Sequence, residues 1–152
     1  MAGIGDIQRM RDNVKSIERN IGAWCRDAVN ANVAKICELN SEEQLYKKGE
    51  TSTGVSIDTY RPYAPLTIEI KTMKGQPTDR VTLKDTGDFY ESFVIFADEV
   101  GFEIDATDWK RGELVDKYGE EIFGLNEENR QKVAREILLP ELINKINETL
   151  WH

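Results

Sequence analysis

The amino-acid sequence predicts a single α+β domain over residues 1–152, with helices at both ends and a small antiparallel sheet between them. Three observations carry this reading. Apolar residues recur at helical spacing from Ile7 to Ala31. Two short runs, Phe93-Val-Ile-Phe96 and Phe102-Glu-Ile104, flank Asp98-Glu-Val-Gly101 and predict a hairpin near residues 93–105. A second helical stripe runs from Val133 to Leu150. The expected parts are an N-terminal helical region over 5–48, an α+β body over 49–125 and a C-terminal helix over 126–150.

The first stripe is Ile7, Met10, Val14, Ile17, Ile21, Trp24, Ala28 and Ala31, at spacings of three and four. Asp6 is placed to cap its start. Gly22 weakens the middle, since glycine costs about 1 kcal/mol against alanine inside a helix. Val29, Val33, Ile36 and Asn40 continue on a neighbouring stripe. Ser41-Glu-Glu-Gln44 has the capping-box spacing and predicts a new helical turn over 42–48, which Gly49 ends.

Gly49-Glu-Thr-Ser-Thr-Gly54 reads as a polar loop, and Val55 to Tyr60 alternates like a short strand. Arg61-Pro-Tyr-Ala-Pro65 is expected to be extended, because each proline disfavours helix in the residue before it. Thr67 to Lys74 fits a short helix or a strand. Asp88 and Glu91 have capping-box spacing, predicting a helical turn over 89–92. Asp108 is placed to cap a helix from Trp109 to Tyr118, ended by Gly119. Asn126 is an N-cap for the last helix, with Glu127 and Glu128 in its first turn. Pro140 must kink that helix near 137–139 or begin a second one.

Composition narrows function. The chain has 152 residues and a formal net charge of −8. Residues 1–97 hold 13 basic and 14 acidic groups, residues 98–152 hold 7 and 14, so the acidity belongs to the C-terminal third. This balance argues against a wrapped nucleic-acid ligand. The only histidine is His152, which argues against Ser–His–Asp and Cys–His centres. Cys25 and Cys37 lack the further ligands of a zinc site and read as buried, inert thiols of a chain made in a reducing cytoplasm. No run reaches the length of a membrane span, and Met1-Ala-Gly-Ile-Gly-Asp lacks the regions of a signal peptide. The expectation is a protein that is not an enzyme, with no cofactor and no membrane partner.

Asp98, Glu103, Asp105 and Asp108 crowd the hairpin and could bind a divalent metal, although the order of a calcium loop is missing. A solvated acidic edge is the alternative. Arg61, Lys71, Lys74, Arg80 and Lys84, interleaved with Tyr60 and Tyr63, form a basic stretch. It could touch nucleic-acid phosphate or the acidic third of another copy, and residues 61–84 are expected to lie near a neighbour. Trp24 sits on a stripe that could pack internally or form a seam between subunits.

Leu83-Lys-Asp85-Thr86-Gly87-Asp88-Phe89-Tyr90-Glu91-Ser92-Phe93 resembles the L-x-D-T-G-x-L/F-x-x-S-I/F signature of the tailed-bacteriophage virion morphogenesis proteins, small tail-completion or head–tail joining proteins of the neck. The surrounding order is also similar: a helical region, Gly49 to Gly54, a proline-bearing stretch ending at Thr67 and Lys71, a hairpin, Tyr118-Gly119, then Ile122-Phe-Gly-Leu125-Asn-Glu-Glu128 before the last helix. Glu120-Glu121 stand where the family usually has an arginine. The resemblance implies a non-catalytic virion protein. It would form a ring, hexamer or dodecamer, against other neck, portal or tail proteins, with DNA only as passing cargo. In physical terms, Asp85 and Thr86 are expected to satisfy backbone donors of a tight turn, Gly87 to allow its geometry and Asp88 to cap the next turn. Phe89 and Phe93 are expected to anchor it to the core.

Overall fold

A computed structural model describes residues 3–59 and 61–151; Tyr60 and His152, singled out by sequence, lie outside the described residues. The chain forms two compact units. Unit 1 comprises residues 1–32, 97–102 and 132–152, and unit 2 comprises residues 33–96 and 103–131. The expectation of one domain with three consecutive parts did not foresee this interleaving.

Unit 1 is built on α1, Ile4–Asn30, which packs antiparallel along the C-terminal helix α7, Leu139–Trp151. Asp6 caps α1 from inside the helix and is not its N-cap. The helix starts earlier, Gly3 is its N-cap, and the Asp6 carboxylate accepts the Gly3 N–H at 3.2 Å from the third helical position. Ala28, Val29, Val133 and Ile137 are buried. Much of the predicted stripe is not: Ile7 is 63% exposed, and Met10, Val14 and Ile21 also stay exposed; outside the predicted stripes, so do Ile4 on α1 and Leu139, Ile143 and Trp151 on α7.

Pro140 acts on the backbone just before it. Residues Ala134–Leu138 form a π-helical turn between α6, Glu127–Val133, and α7. A proline lacks an N–H and crowds the carbonyl four residues back, and the wider turn relieves both effects. The expected distortion near 137–139 therefore takes the form of a π turn.

Unit 2 opens with α2, Val33–Glu38, which runs directly into a π-helical segment, Leu39–Lys48. Ser41 caps nothing; it is buried inside this run and its hydroxyl donates to the Cys37 carbonyl at 3.0 Å. Gly49 does end the run, at φ 62° in the left-handed region. A Cβ there would also meet Arg80 and the Val81 carbonyl at 3.1 Å, so the position needs glycine twice over.

The strand expected over 55–60 is reduced to one bridge, Glu50 with Ser56, and a 3-10 turn Ile57–Thr59. Residues Pro65–Met73 form α3, with proline in the first turn, which resolves the open choice over Thr67 to Lys74 in favour of helix. The turn after Gly87 is α4, Asp88–Glu91, and the hairpin follows as β1, Phe93–Ala97, and β2, Phe102–Ala106. Helix α5, Arg111–Tyr118, starts two residues later than expected, because Asp108 spends its carboxylate on the Lys110 N–H at 2.8 Å in a turn that precedes it. Gly119 ends it as expected, at φ 85°. Asn126 is the N-cap of α6, accepting the Asn129 N–H at 3.0 Å.

Candidate functional site

The signature residues lie in unit 2, on the strap that leads into α4 and β1. Val81 and Thr82 are buried, with the Val81 N–H donating to Asp58 at 2.8 Å and the Thr82 N–H donating to the Tyr63 hydroxyl at 3.0 Å. Leu83 then takes φ 57°, a left-handed conformation that a branched side chain rarely adopts. Gly87 follows at φ 95° and serves as N-cap of α4.

The roles within Asp-Thr-Gly-Asp differ from those expected. Thr86 does satisfy the turn, accepting the Asp88 N–H at 3.3 Å. Asp85 instead accepts the Lys74 ammonium at 2.9 Å and the Gln76 amide at 3.1 Å. The Lys74 hydrogen bond, then that of Gln76, holds the Asp85 carboxyl below its ordinary value. Asp88 is the first residue of the helix and not its cap, because Gly87 reaches the left-handed geometry and takes that position.

Phe89 and Phe93 do anchor the turn. Both are buried, edge to face at 5.2 Å, and Phe123 joins them at 5.5 Å from Phe93. Tyr90 is buried beside Phe93 and donates its hydroxyl to the Thr82 carbonyl. Burial pushes the Tyr90 phenol well above its ordinary value.

The basic stretch is turned onto its own unit. Lys71 is buried on α3 and donates to the Lys84 carbonyl at 3.1 Å and to Gln76 at 3.4 Å, with its ammonium 5.0 Å from the Tyr63 ring centre. Lys84 donates to Glu42 at 2.9 Å and lies over the Tyr46 ring at 4.7 Å. Arg80 donates to the Tyr46 carbonyl at 2.6 Å and pairs with Asp79. Lys74 pairs with Asp85, while Arg61 is exposed. These cations brace residues 42–46 and 76–85.

A buried amide cluster was missed as a site. Asn40 donates to the Ile122 carbonyl at 3.0 Å and accepts the Gly124 N–H at 2.9 Å. Gln44 donates to the Gly124 carbonyl at 2.9 Å and accepts the Asn126 N–H at 2.7 Å. Asn129 donates to the Leu39 carbonyl at 3.0 Å. Two side chains on the π-helical segment thus clamp the backbone of residues 122–126, the Ile-Phe-Gly-Leu-Asn step before α6. The available signal was Asn40 on an otherwise apolar stripe.

The acidic candidates are not gathered. Asp98 belongs to unit 1, where it accepts the Val100 and Gly101 N–H groups at 2.8 Å. In unit 2, Asp105 pairs with Arg111, Asp108 is held by Lys110 N–H, and Glu103 is exposed. Among the described residues no group of three His, Cys, Asp or Glu could hold a metal ion. Trp24 is half-buried in unit 1. Cys25 and Cys37 are free thiols, and burial raises the Cys37 thiol above its ordinary value. Among the described residues no helix is long and apolar enough to cross a membrane. No protein-family model, no curated protein and no solved structure matches this chain.

Proposed function

We propose that this chain is a non-catalytic structural protein of a tailed-phage virion, acting in tail completion or head-to-tail joining and assembling as a ring in the neck. The observation that carries the reading is what the signature residues do. Phe89 and Phe93 plug the core of unit 2, Thr86 and Gly87 shape the turn, and Asp85 is tied to Lys74 and Gln76. A motif spent on shaping a fold fits a building block better than a catalyst. The exposed apolar residues of unit 1, Ile4, Ile7 and Val14 on α1 with Leu139, Ile143 and Trp151 on α7, support an assembling subunit. A ring is a closed heterologous assembly, in which one face of each copy meets a different face of the next. DNA would pass through it as cargo.

Sedimentation of the purified chain over a wide concentration range, with negative-stain imaging of the same samples, tests this reading. Closed rings of six or twelve copies are expected. A chain that stays monomeric at every concentration and forms no ring would count against it.

A further inference from the structure

We propose that the cleft beside residues 83–87 in unit 2 receives a carboxylate carried on a short apolar stem. The cleft holds about 180 Å³, with Tyr63, Leu83, Phe89, Leu114 and Tyr118 giving its apolar and aromatic wall. Lys71, Lys84 and Lys110 also line it. The proposal does not depend on ring assembly.

Lys71 is the anchor. Its side chain is nine-tenths buried, and a buried ammonium is costly unless its charge is answered. Its two hydrogen-bond acceptors, the Lys84 carbonyl and the Gln76 side-chain oxygen, are both neutral. Asp85 acts on it through space only, since the Asp85 hydrogen bonds go to Lys74 and Gln76. An ammonium has three N–H donors, so beyond the face of the Tyr63 ring, 5.0 Å away, one takes no hydrogen-bond acceptor from the protein. Lys84 is already held by Glu42, whereas the Lys110 ammonium lies over the Trp109 ring, at 5.6 Å, and meets Glu113 through space without a hydrogen bond. Asp85, which also lines the cleft, is the one carboxylate set against these three ammonium groups, and its hydrogen bonds go to Lys74 and Gln76, so Lys71 and Lys110 face the cleft without a hydrogen-bonded carboxylate of their own.

The rest of the cleft selects the stem. Leu83, Phe89 and Leu114 would cover methylene groups and make no hydrogen bonds. The volume is below the roughly 300 Å³ at which ordinary small-molecule pockets begin, so it suits one acidic side chain or an acid of that size. Leu83, in the cleft wall, holds φ 57°, a strained conformation that its surroundings must fix.

The test is titration of the ¹⁵N-labelled chain with pentanoate, with pentanamide of the same shape, and with a blocked glutamate peptide. Saturable shifts of the amides of residues 83–87 by pentanoate and not by pentanamide are expected. Lys71→Met should weaken pentanoate by about tenfold or more, the worth of a charge-assisted hydrogen bond. If Lys71→Met does not fold, Lys110→Gln must weaken it by about threefold with the free spectrum otherwise unchanged. Tighter binding of the glutamate peptide than of pentanoate assigns the carboxylate to a protein side chain; the reverse assigns it to a free acid. Equal response to acid and amide, or affinity unchanged in the variants, would overturn the proposal.

Discussion

Gly22 on α1 lies directly against Glu99 at the hairpin tip: a Cβ added to Gly22 would stand 2.8 Å from the Glu99 carbonyl oxygen and 3.0 Å from the Glu99 Cβ. Both residues belong to unit 1, where Arg26 also reaches Glu99 at 3.7 Å. The glycine that weakens the helical pattern is therefore the residue that lets the tip approach the helix.

Gly22→Ala sets two effects against each other. Better helix propensity would add about 1 kcal/mol. The clash is with backbone, which cannot swing aside, and forced shifts of this kind cost about 1–3 kcal/mol. The expected outcome is net destabilisation in urea unfolding, with faster amide exchange at residues 98–101. A variant more stable than the parent would show that the tip does not rest on Gly22.

Gln44→Leu keeps the side chain's bulk and removes its amide. The buried Asn126 N–H and the half-buried Gly124 carbonyl lose their partners. Each orphaned group costs about 1–3 kcal/mol, so a loss of several kcal/mol is expected in chemical denaturation. Lys47→Ala, which removes an exposed pair with Glu43 on the same segment, should change stability by less than about 1 kcal/mol.

The contrast between these residues shows what was legible in the sequence. Gly49, Gly119 and Asn126 were readable as helix ends because a cap is decided by a few adjacent residues. The hairpin was readable because its strands and turn are contiguous. Ser41 misled because its capping box sits within a helical run that does not stop, and Asn40 and Gln44 of that run bond to residues far along the chain. The clamp from Asn40 and Gln44 joins residues roughly eighty positions apart. The basic stretch was visible as charge, but its acceptors, Glu42 and the Tyr46 carbonyl, lie far back along the chain. Sequence placed Phe89 and Phe93 of the signature in the core, yet assigned Asp85 to the backbone when a lysine from α3's end claims it.

Phe93→Ala should cost about 3–5 kcal/mol, since it opens a hole in the aromatic cluster with Phe89, Tyr90 and Phe123. Thr86→Ala removes one exposed hydrogen bond and should cost about 1 kcal/mol or less. Thermal unfolding of the two variants checks the order. The reverse order would assign the signature a role other than anchoring.

Acid should loosen the molecule at defined places. Asp85 is held below its ordinary value by Lys74 and Gln76, Asp98 by the Gly101 and Val100 N–H groups, and Asp105 by Arg111. A depressed native value means that the unfolded chain binds the proton first as pH falls. These contributions are therefore fully present above the ordinary carboxylate range and are lost as pH drops through the depressed native values. Carboxyl-carbon NMR titration should give low midpoints for all three. Lys74→Met should bring Asp85 back up and leave Asp98 and Asp105 unmoved.

Pro140 offers the clearest test of how one residue sets backbone winding. It occupies the second position of α7, immediately after the π turn Ala134–Leu138. Restoring an N–H there allows an ordinary helical hydrogen bond to the Glu136 carbonyl and removes the ring's clash with it. Pro140→Ala is expected to convert residues 134–138 to regular α-helix. That rewinding turns the residues after it relative to those before, so the burial of Ile137 becomes the opposing term. The α-helical hydrogen bond gained contributes about 0.5–1.5 kcal/mol, since the π turn already relieves the ring, whereas burying an isoleucine side chain contributes about 1.5–3 kcal/mol. The two partly cancel, so any loss of stability should stay below about 3 kcal/mol. The carbon chemical shifts and amide exchange of residues 134–140 should nevertheless change plainly. Unaltered shifts across that turn would mean that the packing of α1 on α7, and not the proline, imposes the wider winding.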